Sequence, residues 1–292
     1  MSQTDLLFEL KNYILFEQND IYLKDAGKEF LDKLSTEPFH LYCVLKKPKI
    51  KINEDRIGLS NGYFNIPFDI FFENGVKSFD IKLKSEDKKN ELNGRLYENS
   101  KFIELKFGNR TIFNGKASFL LDELNKQNPD LLDELDYEIL YIGKAFSDKN
   151  PRNAVNRIFN HETVQRIYAE TLDLTPNSSI WFMLCEFRYH SSILPRQSIP
   201  MEEALRLFRK STSIKGDEKY KLIEASLINY FKPRFNNKFT SDFPSPKHQS
   251  YSTAYKINLN NIKVEFGITD LGRSIYSGSV PRSQLHIYSQ SF

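Results

Sequence analysis

The hydrophobic positions of the N-terminal part follow first a helical and then a strand-like pattern. Residues Asp5 to Phe16 carry apolar side chains three and four positions apart, which predicts an amphipathic helix. A second helix is predicted around Ala26 to Leu34. From Pro38 to about Arg110, apolar positions alternate or cluster with aromatic and β-branched residues, a pattern typical of strands. The predicted strands are Phe39 to Leu45, Tyr63 to Phe72, Ser78 to Leu83 and Lys101 to Phe107, and the dipeptide Asn74-Gly75 predicts a hairpin turn between two of them. Residues 1–111 are therefore expected to form an α+β domain with antiparallel strands.

The second part of the chain alternates strands with helices. A β-branched and aromatic run from Tyr137 to Gly143 predicts a strand, and Pro151 then opens a helix with an apolar stripe. Ile180 to Tyr189 predicts a buried strand, whereas Tyr220 to Phe231 has helical spacing. Short strand patterns follow near the C-terminus. The two expected units are residues 112–240 and residues 241–292, the latter a small β appendage packed on the former.

Length, composition and charge bound the class of protein. The 292 residues suffice for two domains, and 40% hydrophobic with 27% charged residues is typical of a soluble globular chain. No apolar run is long enough to span a membrane, and the N-terminus lacks a secretion pattern. Two cysteines are too few for a disulfide framework, so a reducing cytoplasm is the expected location. A net charge of +3 means that nucleic-acid binding would need a local basic face.

Three motifs occur in order between residues 137 and 236. The first is Tyr-Ile-Gly-Lys, Tyr141 to Lys144, at the end of a predicted strand. The second is the pair Arg157 and His161, which are neighbours if the predicted helix runs through His161. The third is Glu224 on a later helix, followed twelve residues on by Asn236, shortly after a proline.

In this order the motifs resemble those of the GIY-YIG nuclease family, over about residues 112–240. Lys144 resembles the lysine that follows Tyr-Val-Gly in the family's excision-repair branch. The resemblance implies a GIY-YIG-like three-stranded sheet flanked by helices. One family element, a first strand with Gly-Ile-Tyr shortly before the second tyrosine, is not found. Gly115 to Phe119 is expected to take its place, with Phe119 where that tyrosine belongs.

Glu224 also stands out on physical grounds. It lies within the apolar stripe of its helix, four residues after Tyr220 and three before Leu227. A buried carboxylate is costly unless it is paired or binds a cation. One interpretation is an ion pair with a buried arginine. The other, which the resemblance favours, is a ligand of Mg²⁺ or Mn²⁺, because such ions take one or two carboxylates plus phosphate and water.

The resemblance implies roles for the other site residues. Tyr141 would hold the attacking water or the phosphate through its hydroxyl, whereas an arbitrary strand tyrosine belongs to the core. Arg157 would contact the scissile phosphate, the alternative being a solvated helix arginine. His161 would act as general base or support the tyrosine, the alternative being a helix-end histidine that contacts carbonyl groups. Lys144 would contact phosphate, and Asn236 would hold the loop beside the metal.

A basic segment follows the predicted metal-binding helix. Residues 232–251 interleave aromatic side chains with cationic ones. The candidate nucleic-acid contacts in it are Lys232, Arg234, Lys238 and Lys247. Because phosphate contacts need clustered cations, a DNA-tracking loop is one interpretation, and an ordinary surface loop is the other.

Taken together, the sequence and the resemblance predict a metal-dependent endonuclease that hydrolyses phosphodiester bonds in DNA, with RNA as the less favoured substrate. Residues 1–111 would recognise the target or a partner, and a homodimer is an open alternative. Analogy with relatives suggests restriction or defence against foreign DNA. The alternative is a nucleic-acid- or partner-binding module on a catalytically degenerate scaffold. The missing first tyrosine favours that alternative, and the retained Arg, His, Glu and Asn oppose it.

Overall fold

The computed structural model of the chain describes residues 3–18, 20, 34, 39–84, 92–97, 101–127, 133–144, 158, 161–194, 200–202, 205, 209, 214, 216–256 and 259–292. The strands are β1 (Gln3–Glu17), β2 (Leu41–Ile52), β3 (Gly58–Ser60), β4 (Tyr63–Phe72), β5 (Gly75–Lys84), β6 (Leu92–Tyr97), β7 (Phe102–Phe107), β8 (Arg110–Lys116), β9 (Tyr137–Lys144), β10 (Ser178–Leu194), β11 (Leu259–Gly267), β12 (Ile275–Tyr276) and β13 (Leu285–Ser291). The helices are α1 (Ala117–Gln127), α2 (Glu162–Leu174), α3 (Gly216–Phe231) and α4 (Ser252–Lys256). The fold is mixed α+β and mostly sheet, which confirms the predicted class at that level.

One large sheet organises the described residues. Its main path runs β12-β9-β2-β10-β1-β11-β13, and β3, β4 and β5 join it through β2. Strand β2 pairs antiparallel with both β9 and β10, and β1 pairs antiparallel with β10. The pairs β1–β11 and β9–β12 are parallel. Helix α3 packs on one face of this sheet and α2 on the other, and each helix closes its own hydrophobic cluster. Strands β6, β7 and β8 form a separate three-stranded sheet.

The helix predicted for Asp5 to Phe16 is wrong, because this segment is strand β1. Its apolar residues fit both the helical spacing and the alternation of a strand. Leu6 and Phe8, which face the same way in a strand, are both buried. Pairing along both edges, with β10 and β11, decides between the two. The second predicted helix, Ala26 to Leu34, lies outside the described residues except for Leu34.

The sheet does not divide the chain at residue 112. Strands β1 and β2 from the first 111 residues lie between β9, β10 and β11. Residues 53–136 instead form an insertion between two antiparallel neighbours, β2 and β9, and this insertion holds β3 to β8 and α1. The last strands are not an appendage either, because β11 and β13 extend the same sheet and β12 pairs with β9. Strands from all three expected units thus belong to one sheet, so the expected boundaries do not separate independent sheets.

Several predicted elements are confirmed. Strand β10 contains the apolar run Ile180 to Tyr189, and α3 contains Tyr220 to Phe231. A hairpin turn lies at the predicted place: Glu73 and Asn74 join β4 to β5, and the two strands pair antiparallel along their whole length. These elements carry local signals, namely an unbroken apolar run, a helical stripe and a turn dipeptide.

A fully buried charge network ties the insertion to the sheet. The carboxylate of Asp122 on α1 accepts hydrogen bonds from Lys47 Nζ of β2 at 2.8 and 2.9 Å, and from Arg273 Nε at 2.6 Å. Tyr137 of β9 accepts a bond from Lys47 Nζ at 3.2 Å. Burial lowers the pKa of Lys47 and raises the pKa of Tyr137 well above its usual value. Two cations share one carboxylate, so Asp122 is the residue on which this junction depends.

Candidate active site

Strands β2 and β9 bring two tyrosines to one face of the sheet. Tyr42 pairs directly with Gly143, and Tyr141 lies two residues before that glycine, so all three share a face. The Tyr42 and Tyr141 rings have centroids 5.9 Å apart. A Cβ on Gly143 would lie 2.6 Å from Cζ of Tyr42 and 2.8 Å from Cε1 of Tyr141. Glycine is therefore required here because the two rings fill the space above it.

The strand next to β9 carries Tyr42, whereas Phe119 lies elsewhere. Residues 115–119 end β8 and begin α1, and Phe119 packs edge-on against Trp181, 5.3 Å between ring centroids. The expectation failed because the strand next to β9 lies about a third of the chain upstream, beyond the insertion. The signal was present in the predicted strand Phe39 to Leu45, which carries Tyr42, but it had been assigned to another domain.

His161 lies beside Tyr141 at the start of α2. The two rings have centroids 5.6 Å apart. His161 is the N-cap of α2, with extended backbone angles of φ −91° and ψ 118°, and its carbonyl accepts from the N–H groups of Val164 and Gln165. It therefore precedes a new helix and does not continue the predicted one. Arg157 lies outside the described residues.

Helix α3 presents three charged residues to the end of β9. Asp217, Lys221 and Glu224 are spaced by four and three residues, so they share one face of the helix. The carboxylate of Glu224, 8% exposed, accepts the backbone N–H of Lys144 at 3.0 Å and Lys221 Nζ at 2.6 Å. The Nζ of Lys144 contacts the carboxylate of Asp217.

The partner of Glu224 differs from the one that was considered. It is Lys221 on the same helix, not a buried arginine, and its side chain is 24% exposed. The ammonium of Lys221 is therefore partly open to water, whereas the carboxylate of Glu224 is buried. Within the described part of the chain, no group of three or more His, Cys, Asp or Glu side chains is arranged to hold a metal.

Asn236 fastens the loop after α3 to the edge of β9. Its Nδ2 donates to the carbonyl of Ile142, and its Oδ1 accepts from the N–H of Ile142, both at 2.9 Å. The N–H of Phe235 donates to the carbonyl of Leu140 at 3.1 Å, so the loop imitates a neighbouring strand. Asn236 is thus a positioning residue for β9, because both polar atoms of its side-chain amide bond the backbone of Ile142.

In the segment 232–251 the aromatic side chains are buried and the cationic ones are exposed. The aromatic residues point inward, where Phe235, Phe239, Phe243 and Tyr251 are buried. Lys232, Arg234, Lys238 and Lys247 are exposed, and Arg234 makes a 3.4 Å contact with Glu170. The aromatic residues therefore hold the segment in place and are not available to stack on bases, whereas the cations face solvent.

A stacked pair of rings adjoins the charged residues of α3. His40, which precedes β2, stacks on Tyr220 with ring centroids 4.0 Å apart and planes 7° from parallel. Lys219 lies over the rings of Tyr220 and Tyr189, and partial burial lowers the pKa of Lys219. The sequence gave no spacing signal for His40, because its partner belongs to a helix 180 residues later.

Comparison with known proteins adds no identification. No protein-family model, no curated protein and no solved structure matches the chain. Among the described residues, the helices are all too short or too polar to cross a membrane. The site must therefore be interpreted from its own chemistry.

Proposed function

We propose that this protein is a metal-dependent endonuclease that hydrolyses phosphodiester bonds in DNA, with an active site of the GIY-YIG kind. The observation that carries the proposal is the cluster of Tyr42, Tyr141 and His161 on one face of the β2–β9 pair, together with Glu224, which bonds the backbone N–H of Lys144 at the end of β9 from the α3 side. The resemblance calls for a tyrosine-bearing strand beside the strand of Tyr141, and β2 supplies one. This pairing supports the resemblance at the position where the sequence motif is incomplete.

The chain's own groups would divide the work as follows. The hydroxyls of Tyr42 and Tyr141 would orient the attacking water against the phosphate. His161, adjacent to Tyr141, would take the proton that is released, as a general base. Lys144 would help to bind the phosphate, and Asn236 would keep β9 in position. Arg157 keeps its proposed role as a cation on the scissile phosphate.

The residues present fit Mg²⁺ or Mn²⁺ at Glu224. Lys221 Nζ lies 2.6 Å from its Oε2, so a cation is already accommodated at this position. An ionised carboxylate has lone pairs left after two hydrogen bonds, and hard divalent ions bind through one or two carboxylates plus phosphate and water. When bound, the ion would polarise the phosphate and stabilise the leaving oxygen.

Exposed cations support a nucleic-acid substrate. Lys232, Arg234, Lys238 and Lys247 lie on the segment directly after α3 and could follow the phosphate backbone away from Glu224. DNA remains the favoured substrate and RNA the less favoured one. A cytoplasmic location and a role in restriction or defence belong to the same proposal, the latter by analogy alone.

A second candidate is a binding module on a catalytically degenerate scaffold. The observation that favours it is the state of Glu224, whose two carboxylate oxygens already accept bonds from Lys144 and Lys221. If that pair is structural, the site has lost its metal ligand, and the exposed cations would serve binding only.

One experiment separates the two candidates. Purified protein is incubated with supercoiled plasmid and, separately, with RNA, in the presence of Mg²⁺ or EDTA. The nuclease proposal expects nicking or linearisation of the plasmid that EDTA abolishes and that Tyr42→Phe with Tyr141→Phe suppresses. Binding to both nucleic acids without any cleavage under Mg²⁺ or Mn²⁺ would favour the binding module.

A further inference from the structure

The hairpin formed by β7 and β8 ends in a tip that combines apolar and cationic side chains. Phe107 is 42% exposed and Ile112 is 52% exposed, although both belong to strands. Arg110 is also exposed and is the direct partner of Phe107 across the hairpin. Directly opposed residues share a face, so the ring and the guanidinium stand side by side.

Phe107 continues an inward-facing row beyond the end of the core. Ile103 and Leu105, at alternate positions before it, are buried in the cluster that the insertion forms around α1. Phe107 faces the same side of the strand as Ile103 and Leu105, but its ring is exposed to solvent. A register irregularity between Leu105 and Lys106 adds twist at this point, and bulges of this kind re-aim the end of a ribbon.

The charge around the tip indicates what kind of surface it fits. A single exposed apolar residue is common and needs no explanation by itself. From Leu105 to Leu121, however, the chain contains no Asp or Glu, and Arg110 stands at the tip itself. The carboxylate of Glu104, one residue before this stretch, is paired with Lys106 at 3.1 Å, so Arg110 adds positive charge at the tip. An apolar side chain beside a guanidinium suits a polyanion that also presents flat or apolar edges.

The base of the hairpin contacts the large sheet, and the tip lies at the other end of the ribbon. At its base, Lys116 lies over the ring of Trp181 on β10, 4.9 Å from the centroid. Strand β8 has seven residues, so the tip stands about 20 Å beyond that base at roughly 3.3 Å per residue. A two-residue connection, Gly108-Asn109, keeps the ribbon narrow, and Gly108 has a φ of 57° that favours glycine.

We propose that the β7–β8 tip enters a groove of duplex DNA, with Arg110 on a phosphate and Phe107 against base edges. A two-stranded ribbon fits the major groove, where thymine methyl groups offer apolar contacts to an aromatic ring. A guanidinium binds phosphate oxygens with paired hydrogen bonds. The inference rests on the proposed action on DNA, and it names the part of the insertion that touches the substrate away from the cleavage site.

Binding of a short fluorescein-labelled duplex, followed by anisotropy with Ca²⁺ in place of Mg²⁺, tests the contact without cleavage. Phe107→Ala should weaken binding about tenfold, in the range of single aromatic–base contacts, and leave the salt dependence unchanged. Arg110→Ala should weaken binding and reduce the slope of log affinity against log salt by about one. Val76→Ala is the matched control, because Val76 is 56% exposed at the start of β5, and it should bind as the wild type does.

The outcomes decide between this inference and its rivals. Wild-type binding by both tip variants overturns it, as does an equal loss in Val76→Ala. It also fails if Phe107→Ala binds DNA normally but abolishes a self-association seen by size exclusion, because the tip is then a protein interface. Phe107-dependent DNA binding by a wild-type protein that does not cut with Mg²⁺ supports the groove contact and overturns only the proposed hydrolysis. Cleavage by a wild-type protein whose tip variants bind normally overturns only the groove contact.

Discussion

The ring of Tyr42 lies over the α-carbon of Gly143, so close that a Cβ there would stand 2.7 Å from the tyrosine hydroxyl. Gly143→Ala must therefore displace Tyr42 or Tyr141. Forced repacking of this kind lowers the free energy of unfolding by about 1–3 kcal/mol. The cleavage rate should fall as well, because the hydroxyls of the two tyrosines are displaced. Thermal unfolding and plasmid cleavage measure the two effects. Gly278→Ala is the control, since nothing lies within 4 Å of its Cβ position, and an equal effect there would contradict the steric argument.

Removal of single hydroxyls tests the two tyrosines separately. Tyr141→Phe and Tyr42→Phe each keep the ring and its packing. If the hydroxyls orient water or assist proton transfer, each variant should lower the cleavage rate by about 10²–10⁴-fold with nearly unchanged stability. Single-turnover cleavage is the measurement, and Tyr63→Phe, at an exposed residue at the start of β4, is the matched control. Full activity of Tyr141→Phe would leave His161 or the metal as the only activators of the water.

A pair of substitutions on α3 distinguishes a metal ligand from a structural ion pair. Glu224→Gln keeps the shape and removes the charge, so loss of a metal-borne effect should cut the rate about a thousandfold or more. Lys221→Met should retain cleavage if the ammonium only stands where a metal cation binds. Cleavage rates and melting temperatures of both variants are compared with those of the wild type. Intact activity of a destabilised Glu224→Gln protein would remove Glu224 from the site.

The buried Asp122 network should dominate the stability of the junction between insertion and sheet. Asp122→Asn leaves Lys47 and Arg273 without their shared charge, and loss of one partner of a buried pair costs about 3–5 kcal/mol. Urea denaturation measures the free energy of unfolding. Asp80→Asn is the control, because the ion pair of Asp80 with Arg56 is exposed and should contribute little. Equal small effects would mean that the network is compensated elsewhere.

His286 should make the protein less stable in mildly acidic solution. Burial lowers the pKa of His286, which bonds Tyr230 through Nδ1 and the Ile275 carbonyl through Nε2. As pH falls below about 6.5, the unfolded chain takes up a proton that the folded protein does not, so stability is lost until the folded pKa is reached. His286→Gln should flatten this part of the stability curve. His190→Gln, at a half-exposed side chain, should keep the wild-type dependence.

Local signals predicted the parts of the fold that local interactions determine. The apolar run of β10, the stripe of α3 and the turn of the β4–β5 hairpin could all be read from neighbouring residues. β1 could not, because Leu6 and Phe8 suit a strand while the spacing of the segment also suits a helix, and only its distant partners decide.

The same distinction applies to the site. Tyr141 and Glu224 were found by motif and by burial pattern, whereas Tyr42 and His40 depend on pairings across the insertion and with α3. No spacing within a short window contains that information. Asn236 was expected to hold a loop, and its two bonds to Ile142 show which strand the loop is held against.

The chain enters the insertion from β2 and leaves it into β9, and these two strands are neighbours in the sheet. The insertion could therefore be replaced by another module. The ladder between β2 and β9 ends at the pair Lys46 and Glu138, so a different module could replace residues 53–136 without separating Tyr42 from Tyr141. A replacement module would have to supply a carboxylate at the place of Asp122, or Lys47 and Arg273 would have to be substituted as well. The replacement module would also have to cover Ile50 and Ile52 of β2, which pack against the insertion. With both conditions met, the insertion could be exchanged while the β2–β9 pair and its two tyrosines stay unchanged.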